Sequence, residues 1–182
     1  MKTKQTGFTM IELIVVIVIL GILAAVALPR FTNIQADARV AKLNAARGAV
    51  LAASSMIRGT VLVRGGVADT VGCAGVAGNL ATNTTAAAGT VCTESGLISI
   101  INGYPTGTLS GIVDAAGLTT VFPATAAALG NEGYGAGLVA GPPAVVTFQV
   151  TGGTDPATCS FTYTAAVANA APLVSIINRA GC

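Results

Sequence analysis

The feature that most constrains this chain is an apolar run close to its N-terminus. Residues 8–28 read FTMIELIVVIVILGILAAVAL and contain one charged side chain, that of Glu12. As a helix the run extends about 31 Å, which is the thickness of the hydrocarbon core of a bilayer. Lys2 and Lys4 precede the run and no acidic residue does. The positive-inside rule therefore predicts that the N-terminus is cytoplasmic.

Three interpretations of this N-terminus compete. A secretory signal peptide is compatible with Ala25-Val26-Ala27, a small-residue pattern typical of a cleavage site. A plain membrane anchor explains the length of the run equally well. Neither accounts for Glu12, because a carboxylate within a membrane span costs about 2.5–3.5 kcal/mol at the bilayer centre and somewhat less toward the interface. The third interpretation is that Glu12 is functional and has a partner.

Composition argues against catalysis. The 182 residues include no histidine, and only 9% are charged. Without histidine, Ser-His-Asp and Cys-His nucleophiles and most zinc sites are excluded. A net charge of +2 on so few charges does not favour nucleic-acid binding. We therefore expect no enzyme activity, no cofactor, no metal and no nucleic-acid partner.

The residues around Glu12 carry a resemblance to a known family. Gly7-Phe8-Thr9-Met10-Ile11-Glu12, followed by LIVVIVILGILAAVALPRF, is similar to the N-terminus of type IV prepilins and related pseudopilins. The resemblance implies that a prepilin peptidase cleaves after Gly7 and N-methylates the new terminal residue, Phe8. It also implies that Glu12 pairs with the terminal amine of a neighbouring subunit, which sets the register of assembly.

Further positions follow the same family. Gly21 and Pro29 lie where the family has helix-weakening residues, and Pro29 is expected to kink the helix. The short basic leader and the terminal Phe8 resemble the type IVa subclass. Residues 91–112 and 37–50 resemble mannose-sensitive haemagglutinin-type major pilins, although no sugar site is evident in them.

The four cysteines all follow the apolar run. An even count in a small extracytoplasmic domain favours two disulfides over metal ligation, and three connectivities are possible. We favour Cys73–Cys92 and Cys159–Cys182, which close loops of about 20 and 24 residues. The second pair is similar to the disulfide that bounds the C-terminal region in type IV pilins.

The expected fold is α+β, with a long N-terminal helix packed on an antiparallel sheet. We divide the chain into a leader (1–7), a transmembrane and polymerisation helix (8–29), an amphipathic helix (30–60) and a disulfide-bonded, β-rich head (61–182). Within the amphipathic helix one stripe recurs at three- and four-residue steps: Phe31, Ile34, Ala38, Ala41, Ala45, Ala49, Ala52 and Met56. Other apolar residues, including Leu43, Val50 and Ile57, lie on the opposite side. We expect the helix to contact its own head on one side and neighbouring subunits on the other.

In the head, the clearest strands are Val145–Thr151 and Thr158–Val167, in which large apolar residues alternate with smaller or polar ones. Ile98–Ile101 and Leu173–Ile177 predict shorter strands, and Ser110 is expected to cap a short helix. Residues 133–137, GYGAG, imitate a phosphate loop, but we interpret them as a flexible surface loop. Asn83-Thr84-Thr85 matches a glycosylation sequon, although a threonine-rich loop explains it equally well.

Charge is split along the chain. Residues 30–64 contain six basic residues and one acid, whereas residues 65–182 contain five acids and one basic residue. A solvated basic face explains this pattern. The alternative hypothesis is that Arg39, Lys42 and their neighbours contact acidic head surfaces of adjacent subunits, with an effect on assembly rather than on subunit folding.

These observations predict a type IV pilus subunit. The precursor is expected in the inner membrane with its head in the periplasm, and the processed chain in an extracellular filament for adhesion, surface attachment or motility. Its expected partners are other copies of itself, the prepilin peptidase, and the assembly platform and ATPase. The alternatives are a pseudopilin of a type II secretion system and a secreted binding domain with an ordinary signal peptide.

N-terminal sequencing of the mature protein separates the processing alternatives. The pilin interpretation predicts a chain that begins at Phe8, since cleavage follows Gly7. A secreted domain with an ordinary signal peptide instead begins near Leu28. A chain that begins near Leu28 would contradict the pilin interpretation.

Overall fold

A computed structural model describes residues 7–73 and 79–182, with the backbone alone for residues 29–33. The chain forms two compact units, Met1–Ala38, here the N-terminal unit, and Arg39–Cys182, here the globular unit. The first helix, α1, extends over Met10–Arg64 and contributes residues to both units. Antiparallel sheets follow it in the globular unit. The expected α+β class, that of the type IV pilin fold, is therefore confirmed.

Two parts of α1 are long and apolar enough to cross a membrane. Met10–Leu28 has all of its side chains exposed, whereas Ile34–Arg64 is partly buried. Partial burial is typical of a core helix in a globular domain, so Met10–Leu28 is the candidate membrane span. The predicted kink at Pro29 lies outside the described side chains.

The helix ends later than the sequence predicts. The amphipathic segment is expected to finish at residue 60, but α1 continues to Arg64. Ile57 and Val61 are both fully buried, so the apolar face persists past Gly59. Gly65 then adopts a left-handed conformation (φ 62°), and its N–H donates to the carbonyl of Val61 at 3.1 Å. This is the usual glycine ending of a helix.

The globular unit contains two antiparallel sheets rather than the single sheet expected. The first has the order β1-β2-β3 and the second β4-β5-β6-β7. The strands are β1 (Ala88–Thr93), β2 (Gly96–Ile101), β3 (Tyr104–Pro105), β4 (Tyr134–Val139), β5 (Val145–Val150), β6 (Ser160–Thr164) and β7 (Leu173–Val174). A π-helical turn (Leu109–Val113) and a short helix, α2 (Ala126–Asn131), connect the two sheets along the chain.

Several predictions of local structure are confirmed, and two are wrong. The strands predicted around residues 98–101, 145–151 and 158–167 correspond to β2, β5 and β6. The expected cap Ser110 lies inside the π-helical turn, which begins after Thr108. Residues 134–137 form part of β4 instead of a loop, because Gly135 and Gly137 pair with Gln149 and Thr147 of β5.

One face of α1 carries both parts of the core. Leu43, Val50 and Ile57, spaced by seven residues, are fully buried. Leu43 and Val50 belong to a cluster with Phe148 of β5 and Phe161 of β6, whose rings stack at 4.9 Å. Ile57 and Val61 belong to a second cluster with three residues of the first sheet, Val91, Ile98 and Ile100. Each buried aliphatic side chain of this kind stabilises the fold by about 1.5–3 kcal/mol.

A single tyrosine joins the two sheets. Tyr163 of β6 is fully buried, and its hydroxyl donates to the carbonyl of Pro105 in β3 at 2.7 Å. Burial raises the pKa of this hydroxyl well above its ordinary value. The tyrosine is thus a neutral donor at all physiological pH values.

Asp114 holds the connection between the sheets. One of its carboxyl oxygens accepts the N–H of Ala124 at 2.7 Å, and the other is buried without a partner among the described residues. Burial raises the pKa of Asp114, although the Ala124 N–H opposes this effect. The tethered loop contains Phe122, which packs against the cluster around Ile57.

We expect Asp114→Asn to raise the melting temperature at neutral pH. A raised native pKa means that the folded state binds the proton more tightly than the unfolded chain, so stability falls as pH rises through the native value. The amide keeps the acceptor for Ala124 and carries no charge. Thermal melts of the full chain in detergent should therefore show a smaller decline in melting temperature above about pH 4 for the variant.

The control is Asp155→Asn, which removes an equal charge from an exposed turn where the side chain accepts from the Ala157 N–H. We expect the pH dependence of this variant to match that of the wild type. The interpretation would be contradicted if the difference in melting temperature between Asp114→Asn and the wild type were the same at pH 4 and at pH 7.

Candidate subunit-assembly site

The N-terminus of α1 is closed by a reciprocal pair of hydrogen bonds. The Thr9 backbone N–H and hydroxyl both donate to Glu12 Oε2 at 2.9 Å. The Glu12 N–H in turn donates to Thr9 Oγ1 at 3.2 Å. This arrangement is a capping box, in which a threonine before the first helical residue pairs with a glutamate three positions later. The role of Thr9 is absent from the expectations above, although the pattern T-x-x-E directly before the apolar run indicates it.

The capping box defines what Glu12 offers to a partner. Oε2 is engaged by Thr9, while Oε1 makes no hydrogen bond with any described residue. The side chain of Phe8 is 93% exposed, and Gly7 is exposed as well. Glu12 therefore holds one oxygen within its own helix and leaves the other for a group outside it.

Gly21 lies within continuous helix, and a side chain there meets nothing within 4 Å.

The structure distinguishes the two apolar sides of α1. The side with Leu43, Val50 and Ile57 is buried within the globular unit. The stripe that begins at Phe31 is exposed instead: Ile34, Ala38, Ala41, Ala45, Ala52 and Met56 are exposed, and Ala49 is half-buried. The side chain of Phe31 lies outside the described residues. Contact on the outward side remains a prediction for neighbouring subunits.

Both disulfides lie in the globular unit. Cys73 bonds to Cys92 and Cys159 to Cys182, with Cα–Cα distances of 5.5 and 4.8 Å. These are the two pairs favoured from the sequence. Arg39 Nη1 also donates to the main-chain oxygen of Cys182 at 2.6 Å. The second disulfide is therefore attached both to β6 and to α1.

Four of the basic residues of α1 contact main-chain carbonyls of their own globular unit. Lys42 Nζ donates to the carbonyl of Glu132 and lies 4.5 Å from the ring centre of Tyr134. The remaining contacts are Arg39 to Cys182, Arg47 to Ser175 at 2.8 Å and Arg58 to Asn102 at 3.1 Å. The hypothesis that these cations act in assembly stays a prediction. They hold loops of the head to the helix.

The sequon is a structural element. Asn83 is fully buried in a left-handed conformation (φ 50°). Its amide donates to Asp69 Oδ1 at 2.7 Å and to the Val67 carbonyl at 2.8 Å, and its Oδ1 accepts from Arg64 at 3.1 Å. Arg64 and Asp69 complete the cluster with an ion pair at 3.2 Å. In the folded chain this amide is inaccessible to modification.

No three carboxylate or thiol side chains converge to form a metal site in residues 7–73 and 79–182. The N-terminal segment presents an apolar helix surface and a carboxylate with one oxygen that has no partner among the described residues. Such a segment suits association with other apolar helices.

Comparisons with known proteins match the N-terminal part of the chain. Residues 2–28 match the family described as the prokaryotic N-terminal methylation motif. The type IV major fimbrial protein FimA of Dichelobacter nodosus is 46% identical over 48 residues, which are 26% of this chain and 31% of that protein. The type IV major pilin protein PilE1 of Neisseria gonorrhoeae is 57% identical over 42 residues, 23% of this chain and 26% of that protein.

The chain thus spans about a quarter to a third of the length of the curated relatives it matches. No solved structure matches the chain significantly. The motif and the relatives show that the N-terminal part of the chain is similar to type IV pilins, and the α+β fold is consistent with theirs. The finer resemblance to haemagglutinin-type pilins stays a prediction.

We expect Lys42→Glu to destabilise the globular unit. The substitution places a negative charge beside the Glu132 carbonyl and the face of Tyr134, and it removes two favourable contacts. A loss of about 2 kcal/mol corresponds to a fall of about 4–8 °C in melting temperature for a chain of this size. The full chain in detergent is measured by far-ultraviolet circular dichroism.

Arg179→Glu is the matched control, because it makes the same charge reversal at an exposed side chain. Its melting temperature should change by no more than about 2 °C. Equal melting temperatures for Lys42→Glu and the wild type would restore the view that the basic stripe is only a solvated face.

Proposed function

We propose that this protein is the structural subunit of a type IV pilus. It is made as a membrane precursor, cleaved after Gly7, methylated at Phe8 and polymerised into an extracellular filament. The observation that carries the proposal is the Glu12 carboxylate, which lies at the start of a fully exposed apolar helix and retains one oxygen without a partner among the described residues.

Physical chemistry explains why this arrangement favours polymerisation. Cleavage before Phe8 creates a cationic amine, and methylation keeps its charge. An amine and a carboxylate buried separately among apolar helices each cost several kcal/mol, whereas a paired arrangement removes most of that cost. Staggered neighbours bring the amine of one subunit to the Glu12 Oε1 of another. The pair then specifies register, while the apolar helix surfaces supply the contact area.

The membrane topology follows from the same segment. Met10–Leu28 spans the inner membrane before assembly, with the basic leader in the cytoplasm and the globular unit in the periplasm. The prepilin peptidase and the assembly platform and ATPase act on this form. In the filament the globular unit is the exposed surface, which suits adhesion, surface attachment or motility.

A pseudopilin of a type II secretion system is the second candidate, because it shares the same N-terminal design. The long head with two disulfides favours the pilus, since disulfides stabilise domains exposed outside the cell. Electron micrographs of material sheared from the cell surface distinguish the two, as long surface filaments indicate a pilus.

Glu12→Ala tests the proposed role of the carboxylate. The variant should insert into the membrane at least as well as the wild type, because it carries no charge in the span. Processing after Gly7, followed by mass spectrometry, should be retained. Surface filaments, quantified after shearing, should fall at least about tenfold, since the amine of each neighbour loses its partner.

Glu94→Ala is the control, as it removes an exposed carboxylate from the globular unit and should leave filament yield unchanged. Normal filament yield from processed Glu12→Ala would refute the pairing. Failure of processing in the variant would show that Glu12 acts at the peptidase rather than in assembly.

A further inference from the structure

A polar cavity of about 500 Å³ opens in the globular unit, far along the chain from the assembly segment. Its polar lining comes from α1, from the turn after β2, from β3, and from the loops before β1 and after β6: Arg58, Thr85, Asn102, Tyr104 and Asn169. Alanines at 86, 168, 170 and 171 form the rest of the wall. The volume lies within the range typical of sites for small molecules.

Arg58 is fixed in this cavity and is not neutralised there. Its Nη1 donates to the Asn102 carbonyl at 3.1 Å, and its guanidinium lies 4.9 Å from the ring centre of Tyr104. Both contacts orient the guanidinium and leave its other N–H groups for a ligand. No Asp or Glu is among the described residues that line the cavity. The cavity therefore presents one immobilised positive charge.

The backbone around the cavity is held in unusual conformations. Asn102 and Asn169 adopt left-handed backbone angles, with φ of 52° and 60°. Gly103, between Asn102 and Tyr104, has φ of 75°, and a side chain at this position collides with the Arg58 guanidinium. Asn-Gly is the usual pair in a two-residue turn between antiparallel strands, here β2 and β3. Glycine at position 103 leaves the space that the Arg58 guanidinium occupies.

The polar groups define the chemistry of the ligand. A guanidinium fork matches the two oxygens of a carboxylate, and Arg58 is the one cation among the described residues that line the cavity. The side chains of Thr85 and Asn169 make no hydrogen bond with other described residues, so they are available for hydroxyl groups. The alanine wall accepts the apolar face of a small ring.

We propose that this cavity binds a small hydroxylated carboxylate of the size of a uronic acid, with Arg58 as the residue that holds the carboxylate. The proposal is independent of filament formation, because every group that it uses lies in one globular unit. It gives the head a ligand class that the assembly function does not require.

Paired probes test the proposal on the full chain in nonionic detergent micelles. Glucuronate and glucose differ at one carbon by the carboxylate, so isothermal titration or amide chemical shifts should report tighter binding of glucuronate, by about tenfold or more. Equal binding of glucose and glucuronate overturns the proposal.

Variants locate the site. Arg58→Gln should weaken glucuronate binding about tenfold or more, whereas the equal loss of charge in Arg179→Gln should change it less than about twofold. Ala170→Tyr fills the cavity from an exposed position and removes no contact, so it should abolish binding even if Arg58→Gln fails to fold. Wild-type affinity in folded Arg58→Gln or in Ala170→Tyr refutes the assignment.

Discussion

The buried face of α1 is the constraint on which the rest of the globular unit depends. Leu43 and Val50 pack with β5 and β6, while Ile57 and Val61 pack with the first sheet. Large aromatic side chains are few, because the chain is rich in glycine and alanine and contains five phenylalanines and no tryptophan. Since both clusters include side chains of α1, the loss of this face weakens both at once. The bond from Tyr163 to Pro105 is a direct polar link between the sheets.

Polar contacts from α1 then hold the loops in place. Arg39, Lys42, Arg47 and Arg58 each donate to a main-chain carbonyl in a separate segment of the head. A carbonyl acceptor needs no acidic side chain, so the helix can be basic although only one ion pair is present among the described residues. Among the described acids of the head, Asp69 forms that ion pair with Arg64 of α1. Arg58 donates to the Asn102 carbonyl and also lines a cavity.

In residues 8–28 the one charged side chain, that of Glu12, has its partner within the same helix. The capping box gives Glu12 a local partner, so the carboxylate is partly satisfied in a subunit that is alone. This reduces the cost of a charge in an apolar span and keeps the free oxygen in a defined position. Thr9 is thus a positioning residue for Glu12, and the proposed pairing between subunits adds to the capping box without replacing it.

Local sequence patterns predicted the helix and several strands, but they did not predict which residues these elements contact. The apolar run at 8–28, the strands around 145–151 and 158–167, and the prepilin motif at Gly7–Glu12 all depend on spacing along one segment, which periodicity and motif report directly. The burial of Leu43 rather than Ala45, the strand formed by GYGAG, and the carbonyl partners of Lys42 and Arg58 depend on residues distant along the chain. A helix with apolar residues on both sides does not specify which side is buried until large side chains such as Phe148 and Phe161 pack against it. The sequence alone therefore determined the α+β class and the apolar N-terminal segment with its motif, and only tertiary packing decided the face of α1 that remains exposed and the cavity that Arg58 lines.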